Sequence, residues 1–541
     1  MLNFVKKSNL IILLCFLVTL AACSNNSNST AKSDHETPAT HTDAKANTET
    51  KTEDSEPYSF SLALSNDNWD YARNLSKDDV YTSRLAELSG VQVDWQFFEG
   101  ADRNVTLATR LASNDMPDVF QLDSSILIPE LAGAIDGGAI LALNDLLNEY
   151  GKNILAAFPE EAWNSPNVSK DGKIFAIPRE APSSQPRGLY VRQDYLDKLK
   201  MDAPQTMDEY LAFFEAVKNT DLNGNGKNDE IPLVLTKELT FYNWVFEGYF
   251  GVFPDQWQWM DGQALPDLIN PKMMEVVAFY KMLYDEGYIN QDMFTFTLAQ
   301  RGSFVLSQPV ASYVHDFHHS GKLGYYGNPN NYTEEGAEIT VLTGPTTSEG
   351  TKRFAPARLP FVYLYIINSK ADRPEEIIKY FDWFYSQDPE VREFFLHGVE
   401  GHNFTRNSDG SINWDPNAEP NPAERGVHQA LFSLIRGDLR ASEDSLAFDP
   451  NAEKVIQARR DTLAAADDRG IFKYLPKINA LVENPQLGYG DGSLYADMFA
   501  KVVLGREPID KAFNEFVDKW KSQGGDVAIK EVTEWYKTNS K

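Results

Sequence analysis

After residue 23 the chain has no cysteine: Cys15 and Cys23 are its only two. That absence removes disulfides, thiol nucleophiles and thiolate metal sites from everything downstream. Basic residues are scarce beside acidic ones, 50 Lys and Arg against 79 Asp and Glu, for a formal charge of −29. Such a surface repels nucleic-acid phosphates and anionic lipid heads, so no nucleic acid partner is expected. The same field weighs against an anionic ligand unless a local basic pocket overrides it. There is no phosphate-binding Gly-rich loop and no dinucleotide fingerprint, because the glycines lack the Lys-Ser/Thr ending and the strand-to-helix setting. Repeats of short period are absent as well. Two histidine patterns fall short of a zinc site: His397, Glu400 and His402 form H-x-x-E-x-H, not HExxH, and "HDFHH" from His315 has no partner carboxylate elsewhere. A metalloenzyme is therefore not expected.

Long apolar runs are equally rare. The one at the start follows Lys6 and Lys7 and lasts about fourteen residues, too short to span a bilayer and laid out as a secretory signal. It ends in Leu20-Ala21-Ala22-Cys23, which resembles the lipobox of bacterial lipoproteins. That resemblance implies cleavage before Cys23 and a diacylglycerol on its sulfur; the other reading is an ordinary signal with a small-residue cleavage site. Losing residues 1–22, with Lys6 and Lys7 and no acid, takes the charge from −29 to −31. Residues 24–56 are Ser, Asn, Thr, Ala, Lys, Asp and Glu without apolar periodicity, so they are expected to form a disordered tether. This divides the chain into a signal at 1–22, a lipidated cysteine and tether at 23–57, and a folded part from Tyr58. The folded part is long enough for more than one domain.

From Tyr58 strand and helix signals alternate, as in an α/β protein. "YSFSLAL" (58–64) reads as a strand running into the polar loop that holds Asp67 and Trp69. "KDDVYTSRLAELSG" (77–90) has helical apolar spacing and a terminal glycine, and "VQVDWQFF" (91–98) returns as a strand. A helix from "VTLATRLASND" then leads through Pro117 to a short strand ending at Asp123. In open α/β sheets ligands collect at the carboxyl ends of strands, which points to the segments after Leu64 and at Asp123. "DGKIFAIPRE" (171–180) and "FVYLYIIN" (361–368) read as strands. Thr206-Met207-Asp208-Glu209 matches a capping box, followed by Tyr210, Phe213, Phe214 and Val217 on one helix face. Pro374 starts another helix, with Ile377, Ile378, Phe381 and Phe384 on its buried side.

The stretch "TDLNGNGKNDEIPL" (220–233) places oxygen-bearing side chains at relative positions 1, 3, 5 and 9: Asp221, Asn223, Asn225 and Asp229. Calcium takes six to eight hard oxygens, and Gly226 permits the sharp turn that gathers them. Lys227 would supply its backbone carbonyl. Pro232 stands where an EF-hand has its bidentate glutamate, leaving Glu230 as the substitute. The other reading is a pair of Asn-Gly turns on a solvated acidic loop.

"LASNDMPDVF", "GAILALNDLLNEYG", "DGKIFAIP", the run from "GLYVRQDYLDKL" to "NDEIPL", and "GVEGHNF" occur in an order that resembles extracellular family 1 solute-binding proteins. These include the alginate-oligosaccharide-binding proteins and the lipid-anchored oligosaccharide receptors of Gram-positive ABC importers. The resemblance is densest from Asp94 to Leu233, recurs at 361–404, and covers most of the chain beyond the tether. It implies an α/β, two-lobed, periplasmic-binding-protein-like fold with an interlobe cleft and multiple hinge crossovers. Lobe 1 would hold 58–180 plus 340–400, and lobe 2 181–339 plus 401–541. It further implies a monomer anchored on the outer face of the cell membrane through Cys23, an oligosaccharide ligand, ABC permease partners, and structural calcium at the 221–230 loop in the second lobe.

A sugar presents an apolar ring face and a rim of hydroxyls, so its site needs aromatic platforms with carboxylates, amides or arginines beside them. Position nominates Trp69 with Asp67, Asp123, Trp244 with Glu247, Tyr313 with His315, Arg358, and Glu400 with His402. For each the competing role is packing or capping. Trp257 and Trp259 alternate as in a hairpin. Two other functions share these features: a surface glycoside hydrolase, which needs two carboxylates facing across the cleft, and a sugar-sensing or adhesive lipoprotein.

Overall fold

The structure, a computed structural model, describes residues 57–66, 79–99, 102–123, 126, 128–180, 187–239, 243–316, 326–347, 350, 361–415, 418, 420, 452–465 and 478–539. Cys23, the tether, Asp67, Trp69 and Arg358 lie outside the described residues, as does the side chain of Asp123. The chain begins with β1 (Tyr58–Asn66), α1 (Val80–Ser89), β2 (Val91–Glu99), α2 (Arg103–Ser113) and β3 (Val119–Asp123). A hairpin of β4 (Ser169–Lys170) and β5 (Lys173–Ile174) precedes β6 (Ile177–Glu180) and β7 (Arg187–Arg192). Then come α3 (Met207–Lys218), the hairpin of β8 (Trp257–Met260) and β9 (Gln263–Pro266), and α4 (Met273–Asp285). β10 (Ser312–Asp316), β11 (Ile339–Leu342), β12 (Phe361–Ile367) and α5 (Pro374–Phe384) follow. The last part holds the hairpin of β13 (Phe404–Arg406) and β14 (Ile412–Trp414), then α6 (Leu494–Val503), α7 (Ile509–Trp520) and α8 (Asp526–Asn539).

The first core is built on a five-stranded sheet ordered β2-β1-β3-β12-β6. β1 pairs in parallel with β2 and β3, whereas β12 runs antiparallel to both β3 and β6. Leu62, Ala63 and Leu64, consecutive on β1, are fully buried, which requires both faces of the sheet to be covered. α1 covers part of it: Asp79 caps its start by accepting from the N–H groups of Tyr81 and Thr82, and Gly90 ends it at φ +70°, a conformation that costs glycine nothing. α5 buries Ile377, Ile378, Phe381 and Phe384 against the same core. The buried residues come from two separated stretches, 58–177 and 364–395.

A second core surrounds the three-stranded antiparallel sheet β10-β7-β11, with the fully buried β7 at its centre. Its residues come from 189–314 and 478–532. The capping box is present: Thr206 Oγ1 accepts from Glu209 N–H while Glu209 accepts from Thr206 N–H, fixing α3 so that Tyr210, Phe213, Phe214 and Val217 point inward. Losing such a cap typically costs about 1 kcal/mol. α4, α6, α7 and α8 complete this core, and Trp520 is anchored by its indole N–H donating to the Leu487 carbonyl at 2.8 Å. The Trp257 and Trp259 stretch forms the β8-β9 hairpin that its alternation predicts. Among the described residues no helix is long and apolar enough to cross a membrane.

Candidate functional site

β1, β2 and β3 run the same way, and β6 joins them because β12 is antiparallel to both β3 and β6. Four carboxyl ends therefore share one edge of the sheet, together with the start of β12. Register places Asp123, Tyr363 and Arg179 in one row across β3, β12 and β6 at that edge, beside an irregularity between Phe361 and Tyr363. Arg103, the first residue of α2, reaches the same place: its guanidinium carbon lies 4.9 Å from the centre of the Tyr363 ring, and that of Arg179 lies 4.8 Å from it. Both arginines are more than nine-tenths buried, while Tyr363 is half-buried. One step deeper, Gln121 donates from its amide to the Tyr365 hydroxyl at 3.4 Å. Burial pushes the Tyr365 phenol up to about 12 against the pull of Arg179, so it remains a neutral hydroxyl.

β6 ends at Glu180 and β7 begins at Arg187, so the chain passes from the first core to the second directly beyond this edge. On the second side Arg187 is buried and stands opposite Asp316 across β7 and β10. His315 lies 4.3 Å from the Tyr326 ring and 6.1 Å from that of Tyr190. Behind them Tyr190 stacks on Tyr313 at 5.2 Å. Tyr332 donates to the Tyr326 carbonyl at 2.7 Å and so accepts from Tyr313 at 2.8 Å. Arg192 is a strut, held twice at 2.7 Å by Asp194 and at 2.9 Å by Glu334.

Of the residues nominated by position, the structure brings the backbone of Asp123 to the row with Tyr363 and Arg179, and sets His315 on the second side. Tyr313 is fully buried behind it, a packing residue whose hydroxyl is already bonded. Trp244 is buried in the second core against Tyr489 and Phe253, so its ring presents no stacking face. Glu247 is buried beneath it, near Tyr280. Glu400 is exposed and paired with Arg406 at 3.1 Å, on a cavity of about 370 Å³ that also involves Arg84, Glu390 and Glu393. His402 meets the Tyr81 ring edge-on. Arg103, Arg179, Arg187 and Tyr363 were not nominated by position. The signal available was a charged residue closing an apolar strand, as in "AIPRE".

The 221–230 loop curls around its own acids. Asp221 accepts from the N–H groups of Gly224, Asn225 and Gly226 at 2.8–3.0 Å, with Gly226 at φ +84°. Asp229 accepts from the Asn223 and Asn225 amides. Glu230 is buried: its Oε1 accepts from Leu222 and Asn223 N–H, while its Oε2 has no hydrogen-bond partner among the described residues. No group of three His, Cys, Asp or Glu side chains gathers as a metal chelator among the described residues. A site in this loop would have to draw on Asn and backbone oxygens as well.

Two sheet-centred cores, with a chain that leaves the first at β6 and returns to it at β12, define a two-lobed α/β binding-protein fold. The chain belongs to the family described as bacterial extracellular solute-binding protein, which matches residues 81–390. It is similar to the polygalacturonan/rhamnogalacturonan-binding protein YtcQ of Bacillus subtilis (strain 168), at 22% identity over 479 residues, covering 85% of this chain and 88% of that one. Among solved structures it is similar to the alginate-binding protein AlgQ2, determined without calcium ion (TM-score 0.65, 18% identity, covering 89% of this chain and 98% of that one). It is similar also to an EF-hand mutant of the substrate-binding protein FusA of S. pneumoniae in complex with fructo-nystose (TM-score 0.64, 18% identity, covering 89% and 99%).

Proposed function

We propose that this protein is the substrate-binding lipoprotein of an ABC importer, which captures an oligosaccharide between two lobes and hands it to a membrane permease. The observation that carries the reading is the Tyr363 ring at the carboxyl edge of the first sheet, with two guanidiniums beside it at the crossover between the cores. An aromatic face flanked by planar hydrogen-bond donors is the chemistry a sugar ring needs. The carbohydrates named for YtcQ, AlgQ2 and FusA support the ligand class. The lobes are taken as 58–180 plus 340–400 and 181–339 plus 401–541, with Cys23 as the lipid anchor and the following residues as a tether that leaves the lobes free to move. Calorimetric titration with a panel of plant and microbial oligosaccharides tests it. At least one sugar binds with 1:1 stoichiometry and no reducing ends accumulate over hours. Steady release of reducing ends would favour a glycoside hydrolase.

The 221–230 loop is proposed to hold a structural calcium through Asp221, Asn223, Asn225, Asp229 and Glu230 and the carbonyl of Lys227. The buried, unpartnered Glu230 Oε2 fits this, because an isolated buried carboxylate oxygen is costly unless a cation or donor meets it. When bound, the ion supplies positive charge that pins the loop between α3 and the strand-like segment at 231–235; it has no part in ligand chemistry.

A further inference from the structure

We propose that the oligosaccharide is acidic: a uronic-acid-containing chain whose carboxylate is read by Arg179 and Arg103, with Arg187 facing the ligand from the second side. This rests on the receptor reading above and narrows it to one class of sugar. In a chain of net charge −29, buried cations gather on both sides of the crossover at 181–186: Arg103 and Arg179 on one sheet edge, and Arg187 at the start of β7. Both guanidiniums of the first side converge on a single phenol ring, which leaves them less than about 10 Å apart. Two like charges brought together out of water repel each other, and an anionic group between them removes the repulsion. Asp123 in the same row leaves the three residues Asp123, Arg103 and Arg179 with a net positive charge.

The donor set points the same way. Guanidinium only donates, in a planar fork that matches a carboxylate by two parallel hydrogen bonds. A neutral sugar rim is mostly hydroxyls, which donate as well as accept and are best met by a mixture of carboxylates, amides and donors. Tyr365, held as a neutral hydroxyl under the row, and the Tyr363 ring then serve the sugar body while the arginines take the charge.

The test is calorimetry on the purified protein with trigalacturonate and trimannuronate, the fully methyl-esterified trigalacturonide, and a neutral fructo-oligosaccharide. At least one free acid is expected to bind about 10- to 100-fold more tightly than the ester and the neutral sugar. Arg179→Gln is expected to remove most of that preference, and Arg179→Lys to restore only part of it. The acid-against-ester comparison on the unaltered protein stands even if a variant folds poorly. Equal affinity for acid and ester, or binding of the neutral sugar alone, overturns the acidic assignment and leaves the receptor reading intact. Failure of every sugar in both this set and the wider panel overturns the receptor reading itself.

Discussion

Raising the pH from 5 to 9 is expected to weaken this protein by roughly 5 kcal/mol through Glu247 alone. Glu247 is buried in the second core, and burial pushes its carboxyl from 4.5 up to about 8, with bonds from Tyr280 and the Phe246 backbone pulling the other way. Hydrogen-bond geometry reaches the same conclusion independently. The Tyr280 hydroxyl lies 3.0 Å from the Asn243 carbonyl oxygen and 2.8 Å from Glu247 Oε1, and it has one hydrogen to give. If that hydrogen goes to the carbonyl, which can only accept, Glu247 must bring its own proton to the Tyr280 oxygen. Glu247 Oε2 meanwhile accepts from Phe246 N–H at 3.0 Å. An adjoining cavity of about 20 Å³ has room for one water at most, too little to solvate a carboxylate.

The folded state therefore holds this proton more tightly than the unfolded chain does. Its contribution is complete below the unfolded value of 4.5 and is lost as pH rises through about 8. Glu247→Gln fits the same network, its amide donating to Tyr280 and its oxygen accepting from Phe246. Melting temperatures of the unaltered protein and of Glu247→Gln across pH 5–9 check this. The variant gains roughly 10–20 °C relative to the unaltered protein at the alkaline end. Parallel profiles would show that Glu247 ionises freely in the fold.

Chelating calcium has the second large expected effect. An ion present at about a thousand times its dissociation constant stabilises the folded state by about 4 kcal/mol, so EDTA treatment should lower the melting temperature by roughly 8–16 °C, with calcium restoring it. Glu230→Gln should abolish most of the response, because one of its oxygens is already committed to Leu222 and Asn223 and the other is the one a cation would satisfy. An unchanged melting temperature in EDTA, with no heat on adding calcium back, would mean that the loop holds itself together by its Asx turns.

Local signals carried much of the fold. The capping box at Thr206 and Glu209, the proline at the start of α5 and the glycine closing α1 each act within one turn of chain, and each is present where the sequence places it. The ligand edge was only partly legible. Its row forms because β12 returns after an excursion of well over a hundred residues to insert between β3 and β6, and neither strand announces that register. Tyr363 and Tyr365 look alike in "FVYLYIIN"; depth in the sheet alone makes one half-buried and the other fully buried. Trp244 and Glu247 misled for the opposite reason. They flank and enter the four-residue helix Glu247–Phe250, too short to show which face is inward, and a carboxylate there reads as exposed until its tyrosine partner, 33 residues away, is known.

The central claim is that the edge around Tyr363 holds a sugar. The most direct measurement is a calorimetric titration of the unaltered protein and of Tyr363→Ala with the tightest-binding oligosaccharide, each with its melting curve. Here the expected result is 1:1 binding that weakens at least about tenfold in the variant while its fold persists. Unchanged affinity in a folded Tyr363→Ala protein would place the ligand elsewhere.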